Sequence, residues 1–202
     1  LKRIFVAFLV IFGATSLATR AEMPFPKPAV NDRLAGHLEK FAESRLRKIN
    51  DRVYWAQYYD YSNFGFLIGN KGVIAIDCGW WPGASARALK DLRKITTKPI
   101  THIVYTHGHA DHIAGCPGLA EESNQEIEVI GHADYLRYRD EVVSARLPFI
   151  GRRATDQMGF LLERSNAGSV GAGVGPGFYD GDAGYRPPTK LVKGGDELTI
   201  DG

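Results

Sequence analysis

The chain has 202 residues, of which 44% are hydrophobic and 24% are charged, and its formal net charge is +2. These values are typical of a single globular domain that is large enough to bury a core. The 25 basic residues form no basic block, so the sequence does not favour nucleic acid as a substrate or partner.

Residues 1–21 have the layout of a secretory signal peptide. Lys2 and Arg3 precede an uncharged run over residues 4–14, and small residues follow it. This run is shorter than the roughly 20 residues that a membrane-spanning helix needs, although an uncleaved amino-terminal anchor is the alternative. Removal of residues 1–21 takes away three basic and no acidic residues, which changes the formal charge from +2 to −1. We therefore predict a periplasmic or secreted protein, with membrane contact only through an uncleaved signal segment.

The remaining chain is predicted to contain a linker with an amino-terminal helix over residues 22–50, followed by one domain over residues 51–202. The linker contains the proline-rich stretch MPFPKPAV, and an amphipathic helix is expected over residues 32–50. Hydrophobic patterns predict further strands at residues 64–68, 73–76, 100–106 and 127–131, and helices at residues 84–95, 113–123, 132–145 and 152–165. A short turn is predicted at residues 70–72 and a glycine-rich loop at residues 166–188. A strand, a turn and the beginning of another strand are predicted within residues 189–202. This alternation of strands and helices predicts layered α/β packing.

Two cysteines, Cys78 and Cys116, are the only ones in the chain. An exported protein can hold such a pair as a disulfide bond, and two buried thiols are an equally good interpretation. Their separation along the chain does not match the spacing of a metal-binding motif. The sequence therefore leaves their state open.

The stretch YTHGHADHIAG carries three of the six histidines of the chain within six positions. If the preceding strand stays extended through Gly108, His107 and His109 project to the same side and can bind one ion. Asp111 and His112 follow where the chain turns into a helix, so they can reach a second ion. Imidazole and carboxylate ligands favour zinc, with iron or manganese as alternatives. The motif therefore predicts a metal site.

These residues match a known family. His107-Gly-His109-Ala-Asp111-His112 resembles the HxHxDH signature of the metallo-β-lactamase fold superfamily. The Asp-Cys-Gly triplet at residues 77–79, which ends an apolar strand, is similar to a second recurring motif of that family. The resemblance implies an α/β fold, an αββα metallo-β-lactamase-like sandwich that is incomplete at the carboxyl end, with a binuclear metal centre at one edge of its two sheets.

The resemblance also implies roles for individual residues. His107 and His109 would hold the first ion together with a histidine from later in the fold, and Asp111 and His112 would hold the second. Asp77 would accept hydrogen bonds and orient the ligands. Two zinc ions are expected in the complete protein. A water molecule bridging two such cations loses a proton near neutral pH, and Asp111 is placed to orient the resulting metal-bound hydroxide.

The later part of the chain is similar to alkyl-sulfatase-like members of the superfamily. The similarity lies in ARLPFIGRRATDQMGFLLERSNAGSVGAGVG and in PPTKLVKGGDELTIDG. In those members the substrate is a sulfate ester of an alkyl chain. Arg152 and Arg153 either help to hold an anionic group or form a solvated pair on a helix. The resemblance thus favours a metal-dependent hydrolase whose partner is a small, anionic ester substrate.

Two alternatives stay open beside an alkyl-sulfatase-like hydrolase. One is another hydrolase of the superfamily: a β-lactamase, a lactonase or a thioester hydrolase. The other is a truncated, non-catalytic metal-binding domain. No histidine follows His132, which we interpret as a cap or surface residue, so the chain offers two protein ligands per ion, whereas catalytic zinc sites usually have three. We therefore expect the 202 residues to be the amino-terminal portion of a longer hydrolase.

Overall fold

The computed structural model describes residues 31–120, 126–135, 147–157 and 181–201, with the single positions 137, 175 and 176. The strands of the described residues form one seven-stranded sheet in the order β1-β2-β3-β4-β5-β6-β7. These strands are β1 (Arg45–Lys48), β2 (Val53–Gln57), β3 (Phe64–Ile68), β4 (Val73–Ile76), β5 (Ile100–Val104), β6 (Glu128–His132) and β7 (Lys190–Val192). The α-helices are α1 (Asp32–Leu38), α2 (Pro82–Leu92), α3 (Ala110–Ile113), α4 (Cys116–Ala120) and α5 (Leu147–Gln157).

The sheet is antiparallel from β1 to β4 and parallel from β4 to β7. The change of direction follows from the connections, because a short turn can join only antiparallel neighbours, whereas parallel neighbours need a crossover. At the predicted turn after β3, the backbone N–H of Gly69 donates to the carbonyl of Gly72 at 2.8 Å. The crossover from β4 to β5 contains α2, and the next one contains α3 and α4. The predicted mixed α/β class is confirmed.

The middle of the sheet forms the core. In β4, Val73 and Ala75 have no exposed surface and Ile74 is 4% exposed. A near-continuous apolar run is what a strand covered on both faces requires. Helix α2 contributes Leu89 and Leu92, which are also fully buried in the same core cluster. The three strands predicted at residues 64–68, 73–76 and 100–106 belong to this one sheet, although the last ends at Val104.

Replacement of Leu89 by alanine is expected to lower the free energy of unfolding by about 2–5 kcal/mol, because it removes buried methyl groups and leaves a cavity. Denaturant titration of both proteins measures the difference. Leu191→Ala is the matched control, since this leucine lies in β7 and is 53% exposed. Its effect should stay within about 0.5 kcal/mol. Equal losses for the two variants would contradict the assignment of Leu89 to the core.

The single helix predicted over residues 32–50 is wrong. Helix α1 ends at Leu38, a 3₁₀ turn follows at Glu39–Phe41, and Arg45–Lys48 forms strand β1. The physical reason is that β2 would otherwise lie at the edge of the sheet with unpaired backbone groups. Strand β1 pairs antiparallel with β2 and satisfies these groups. The Arg45 guanidinium also donates to the Gln57 side chain at 3.1 Å. These tertiary contacts outweigh the helical periodicity of the segment.

Several predicted segments lie outside the described residues. They are the signal segment at residues 1–21, the linker at 23–30, most of the helix at 132–145, the later part of the helix at 152–165 and much of the glycine-rich loop at 166–188. The described strands form a single sheet, so the second sheet of the expected sandwich is not among them. Near the carboxyl end, a turn follows β7 as predicted, but Leu198–Asp201 does not form the expected strand. Within the described ranges, no helix is long and apolar enough to cross a membrane.

Candidate metal centre

The structure brings the four cluster residues together at the carboxyl end of β5. His109 is the N-cap residue of α3, and Asp111 and His112 lie within the single turn of that helix. The ring centroid of His107 lies 4.7 Å from that of His109 and 4.1 Å from that of His112. The end of one strand and the start of one short helix therefore place all four side chains in one small region.

The ligand atoms of the cluster fall into two close pairs. His107 Nε2 lies 3.1 Å from His109 Nδ1, and His112 Nε2 lies 3.5 Å from Asp111 Oδ2. Two ligand atoms at tetrahedral positions around a zinc ion are about 3.3 Å apart, given zinc–nitrogen bonds of about 2.0–2.1 Å. Each pair therefore has the separation of two ligands of one ion, and imidazole with carboxylate suits zinc. In the described part of the chain, no three His, Cys, Asp or Glu side chains are arranged as ligands of a single ion.

Asp77 fixes the orientation of His112. This carboxylate is 4% exposed, and its Oδ1 accepts the backbone N–H of Thr106 at 2.8 Å. Its Oδ2 accepts the Thr106 hydroxyl at 2.7 Å and lies 2.8 Å from His112 Nδ1. A carboxylate can only accept, so His112 Nδ1 carries a proton, and in the neutral ring Nε2 is the nitrogen whose lone pair is available to an ion. This is the arrangement in which a carboxylate prepares a histidine for a metal ion.

The electrostatic environment differs between the histidines. Burial, together with the neighbouring His112 and His109, lowers the pKa of His107 below its usual value. Burial also disfavours the charged form of His112, but the hydrogen bond that His112 donates to Asp77 and the charges of Asp111 and Asp77 outweigh it and raise the pKa of His112. Metal ligands must be deprotonated, so His107 is prepared for an ion at neutral pH, whereas an ion at His112 competes with a proton.

Two supporting residues were not predicted from the sequence. Thr106 donates twice to Asp77, and its Oγ1 also lies 3.0 Å from His107 Nδ1. The hydroxyl of Ser62 donates to the backbone carbonyl of Asp111. Thr106 directly precedes the motif, so a hydroxyl residue at the strand end was an available signal. Ser62 is 49 positions from its partner, and no local pattern indicates it.

The remaining sequence-predicted candidates lie elsewhere. Arg152 and Arg153 are exposed on α5, which agrees with a solvated pair on a helix. His132 ends β6 and is exposed, which agrees with a surface residue, and its Nδ1 accepts the backbone N–H of Asp134 at 3.1 Å in the turn that follows. His102 lies in β5, with its Nδ1 2.9 Å from Thr101 Oγ1. The candidate metal cluster therefore consists of His107, His109, Asp111 and His112.

A second buried carboxylate stabilises the loops beside the cluster. Asp60 is 3% exposed and accepts backbone N–H groups from Tyr61 at 2.6 Å, Trp80 at 2.8 Å and Trp81 at 2.7 Å. Burial raises the pKa of Asp60 to about 6, although these three donors lower it. Asp60 thereby connects the loop before β3, which contains Ser62, to the turn after Asp77.

Asp60 should make stability depend on pH. Its folded-state pKa of about 6 exceeds the ordinary value of 3.8, so the folded chain binds the proton more tightly. The stabilisation of the fold by protonated Asp60 is complete below pH 3.8 and is lost as pH rises through about 6. Between pH 4 and pH 7 it amounts to about 2 kcal/mol. Denaturant titrations of Asp60→Asn should show a flatter pH dependence by that amount, whereas Asp182→Asn, an exposed control, should follow the parent chain. An unchanged profile for Asp60→Asn would contradict the assignment.

Comparison with known proteins places this cluster in a family. The model of the metallo-beta-lactamase superfamily matches residues 58–200. An alkyl/aryl-sulfatase of Saccharomyces cerevisiae is 30% identical over 185 residues, which cover 88% of this chain and 28% of that protein. A linear primary-alkylsulfatase of a Pseudomonas species is 29% identical over 165 residues, which cover 79% of this chain and 24% of that protein.

A solved structure shows the same fold. The stereoselective inverting sec-alkylsulfatase of a Pseudomonas species superposes with a TM-score of 0.62 at 20% identity, and the match covers 86% of this chain and 28% of that one. The chain spans about a quarter of the length of the curated relatives it matches. Because the family model covers most of these residues, including the whole histidine cluster, the chain belongs to the metallo-beta-lactamase superfamily.

Proposed function

We propose that the protein to which this chain belongs is a metal-dependent hydrolase of alkyl sulfate esters. The observation that carries the proposal is the pairing of ligand atoms at 3.1 Å and 3.5 Å, with the His112 tautomer fixed by Asp77. The substrate class is supported by relatives that are named alkylsulfatases. The small, anionic sulfate ester would be the partner of the site.

The two pairs support a proposed assignment of the ligands. His107 Nε2 and His109 Nδ1 would hold one zinc ion, and Asp111 Oδ2 and His112 Nε2 would hold the second. Bound divalent ions of this kind supply Lewis acidity and make water acidic enough to act as a nucleophile at neutral pH. With two protein ligands each, both ions need further ligands, which the complete protein would provide.

Side chains around the site would orient the attacking water and the metal ligands. The Asp111 side chain is 28% exposed, so its carboxylate can face both a bound ion and the attacking water. It would accept a hydrogen bond from that water and hold it against the ester. Asp77 keeps His112 in one tautomer, and Thr106 keeps Asp77 in place. Net hydrolysis consumes one water and releases the alcohol and hydrogen sulfate.

Metal analysis and an activity panel test this function on the complete protein. We expect two zinc equivalents and preferential hydrolysis of alkyl sulfates over β-lactams, lactones and thioesters. His107→Ala should lose the first zinc equivalent, whereas His102→Ala should retain both, because His102 lies in β5 away from the cluster. Preferential hydrolysis of another class in the panel, or equal zinc contents in the two variants, would overturn the proposal.

We also propose export to the periplasm or the medium, on the basis of the signal-like composition of residues 1–21. The mature chain would begin near Thr19 or Glu22. Amino-terminal sequencing of protein recovered from its host decides this point. A soluble cytoplasmic chain that retains residues 1–21 would contradict it.

A further inference from the structure

The two cysteines meet beneath the metal cluster. Cys78 and Cys116 have no exposed surface, and their Sγ atoms are 2.8 Å apart although they are 38 positions apart in the chain. The structure holds them as free thiols. A disulfide bond has an S–S distance of about 2.05 Å, so the two side chains need to approach by less than about 1 Å.

Glycines at the start of α4 bring the sulfurs together. A side chain at Gly115 would overlap the carbonyl oxygen of Cys78, and one at Gly118 would overlap the carbonyl oxygen of Pro82. The backbone of this region therefore lies directly against residues 78–82. The Gly115 N–H also donates to the carbonyl of Gly79 at 2.9 Å. The contact between the sulfurs is thus set by backbone packing rather than by a chance choice of side-chain rotamer.

We propose that Cys78 and Cys116 form a disulfide bond when the protein folds in an oxidising compartment. The oxidant is the disulfide of a thiol–disulfide oxidoreductase in that compartment. The Cys116 thiolate attacks one sulfur of this disulfide and releases the other sulfur as a thiolate. The Cys78 sulfur, after losing its proton, then attacks the Cys116 sulfur and releases the second thiolate of the oxidoreductase. Two thiols of this chain are oxidised and one oxidoreductase disulfide is reduced. Because both sulfurs are buried in the folded chain, the exchange precedes final packing of α4.

Oxidation leaves no neighbouring polar group without a partner. Tyr105 Oη lies 2.9 Å from Cys116 Sγ, but its hydroxyl also donates to the carbonyl of Arg186 at 2.9 Å. The Cys78 thiol also donates to the carbonyl of His112 at 3.4 Å, and oxidation removes this contact. That carbonyl keeps a partner, because the Cys78 backbone N–H donates to it at 2.8 Å. A buried disulfide at this position therefore costs no hydrogen bond that the site needs.

The position of the bond gives it a structural role. Cys78 directly follows Asp77, and Cys116 comes four positions after His112. The disulfide would close a loop that contains the whole histidine cluster and tie the turn that holds Asp77 to the helices that follow the motif. Closing a loop of this length should raise the melting temperature by about 5–15 °C in a chain of this size.

The test is peptide mapping of the full protein exported to a bacterial periplasm, with free thiols alkylated in denaturant before any reduction, because both sulfurs are buried in the folded chain. We expect a linked peptide pair containing Cys78 and Cys116, with a mass two hydrogen atoms below that of the separate peptides. Reductant should lower the melting temperature of the parent protein by about 5–15 °C. The melting temperatures of Cys78→Ala and Cys116→Ala should not respond to reductant. Ser85→Ala removes a hydroxyl that donates to the Cys78 carbonyl at 2.5 Å, so it is a matched packing control that should still respond.

Alkylation of both cysteines when the exported protein is denatured without reductant would overturn the proposal. So would a mixed disulfide at either cysteine without the linked peptide pair. An equal response of the parent protein and Cys116→Ala to reductant would contradict the stabilising role. Formation of the bond in the native host rests on the proposed export, whereas the test itself supplies the oxidising compartment. None of its readouts uses catalysis or metal content, so failure of this proposal is distinguishable from failure of the proposed function.

Discussion

Replacement of Asp111 by asparagine in the complete protein should lower turnover of an alkyl sulfate by a factor of about 100 or more, while metal binding is partly retained. The substitution preserves size but removes the negative charge that orients water and contributes to one ion site. The backbone at this position is held by the hydroxyl of Ser62, which donates to the main-chain carbonyl and is unaffected by the change. The loss should therefore come from the carboxylate and not from a displaced helix. Steady-state kinetics and metal analysis of both proteins measure it.

Asp134→Asn is the matched control for this experiment. Its carboxylate follows β6 and its side chain is 64% exposed, so the same chemical change there should leave turnover within about twofold of the parent enzyme. Parent-level turnover in Asp111→Asn would show that the cluster is not the catalytic centre. A loss of fold in Asp111→Asn, visible by circular dichroism, would instead assign the residue a structural role.

Replacement of Asp77 by asparagine should weaken binding of the second zinc ion by about 10–100-fold while leaving the first ion in place. The aspartate only accepts hydrogen bonds, and its Oδ2 lies 2.8 Å from His112 Nδ1, so the proton stays on Nδ1. An asparagine that donates to this nitrogen favours the other tautomer, in which the proton occupies Nε2 and blocks the ligand position. Zinc titration against a competing chelator at neutral pH resolves the two sites.

The effect of Asp77→Asn must be separated from general destabilisation. Asp91→Asn is a suitable control, because this carboxylate on α2 accepts the Tyr59 hydroxyl and pairs with Lys94 away from the cluster. It should change stability slightly and zinc affinity not at all. A histidine NMR spectrum of Asp77→Asn should show the tautomer change directly. Unchanged affinity for both ions would contradict the role of Asp77 in preparing His112.

The wrong prediction of a single helix over residues 32–50 shows a limit of local sequence patterns. The apolar spacing there fits one amphipathic helix, yet Arg45–Lys48 pairs with β2 over four residue pairs. An isolated short helix gains little in water, whereas an added strand satisfies backbone groups at the edge of a sheet that already exists. The deciding interaction is thus the pairing of β1 with β2, and no sequence pattern within residues 32–50 indicates it.

Sequence alone determined the α/β class, the three strands around the core and the members of the metal cluster. These features follow from the periodicity of hydrophobic residues and from the spacing of the histidines and the aspartate over a few positions. Such local patterns can be recognised without knowledge of the fold. Only the tertiary structure decided that Thr106 holds Asp77, that His112 Nδ1 faces Asp77, that Ser62 supports Asp111 and that two cysteine sulfurs meet at 2.8 Å. Most of these contacts join segments far apart in the chain, and all depend on backbone packing and side-chain geometry that no short sequence pattern encodes.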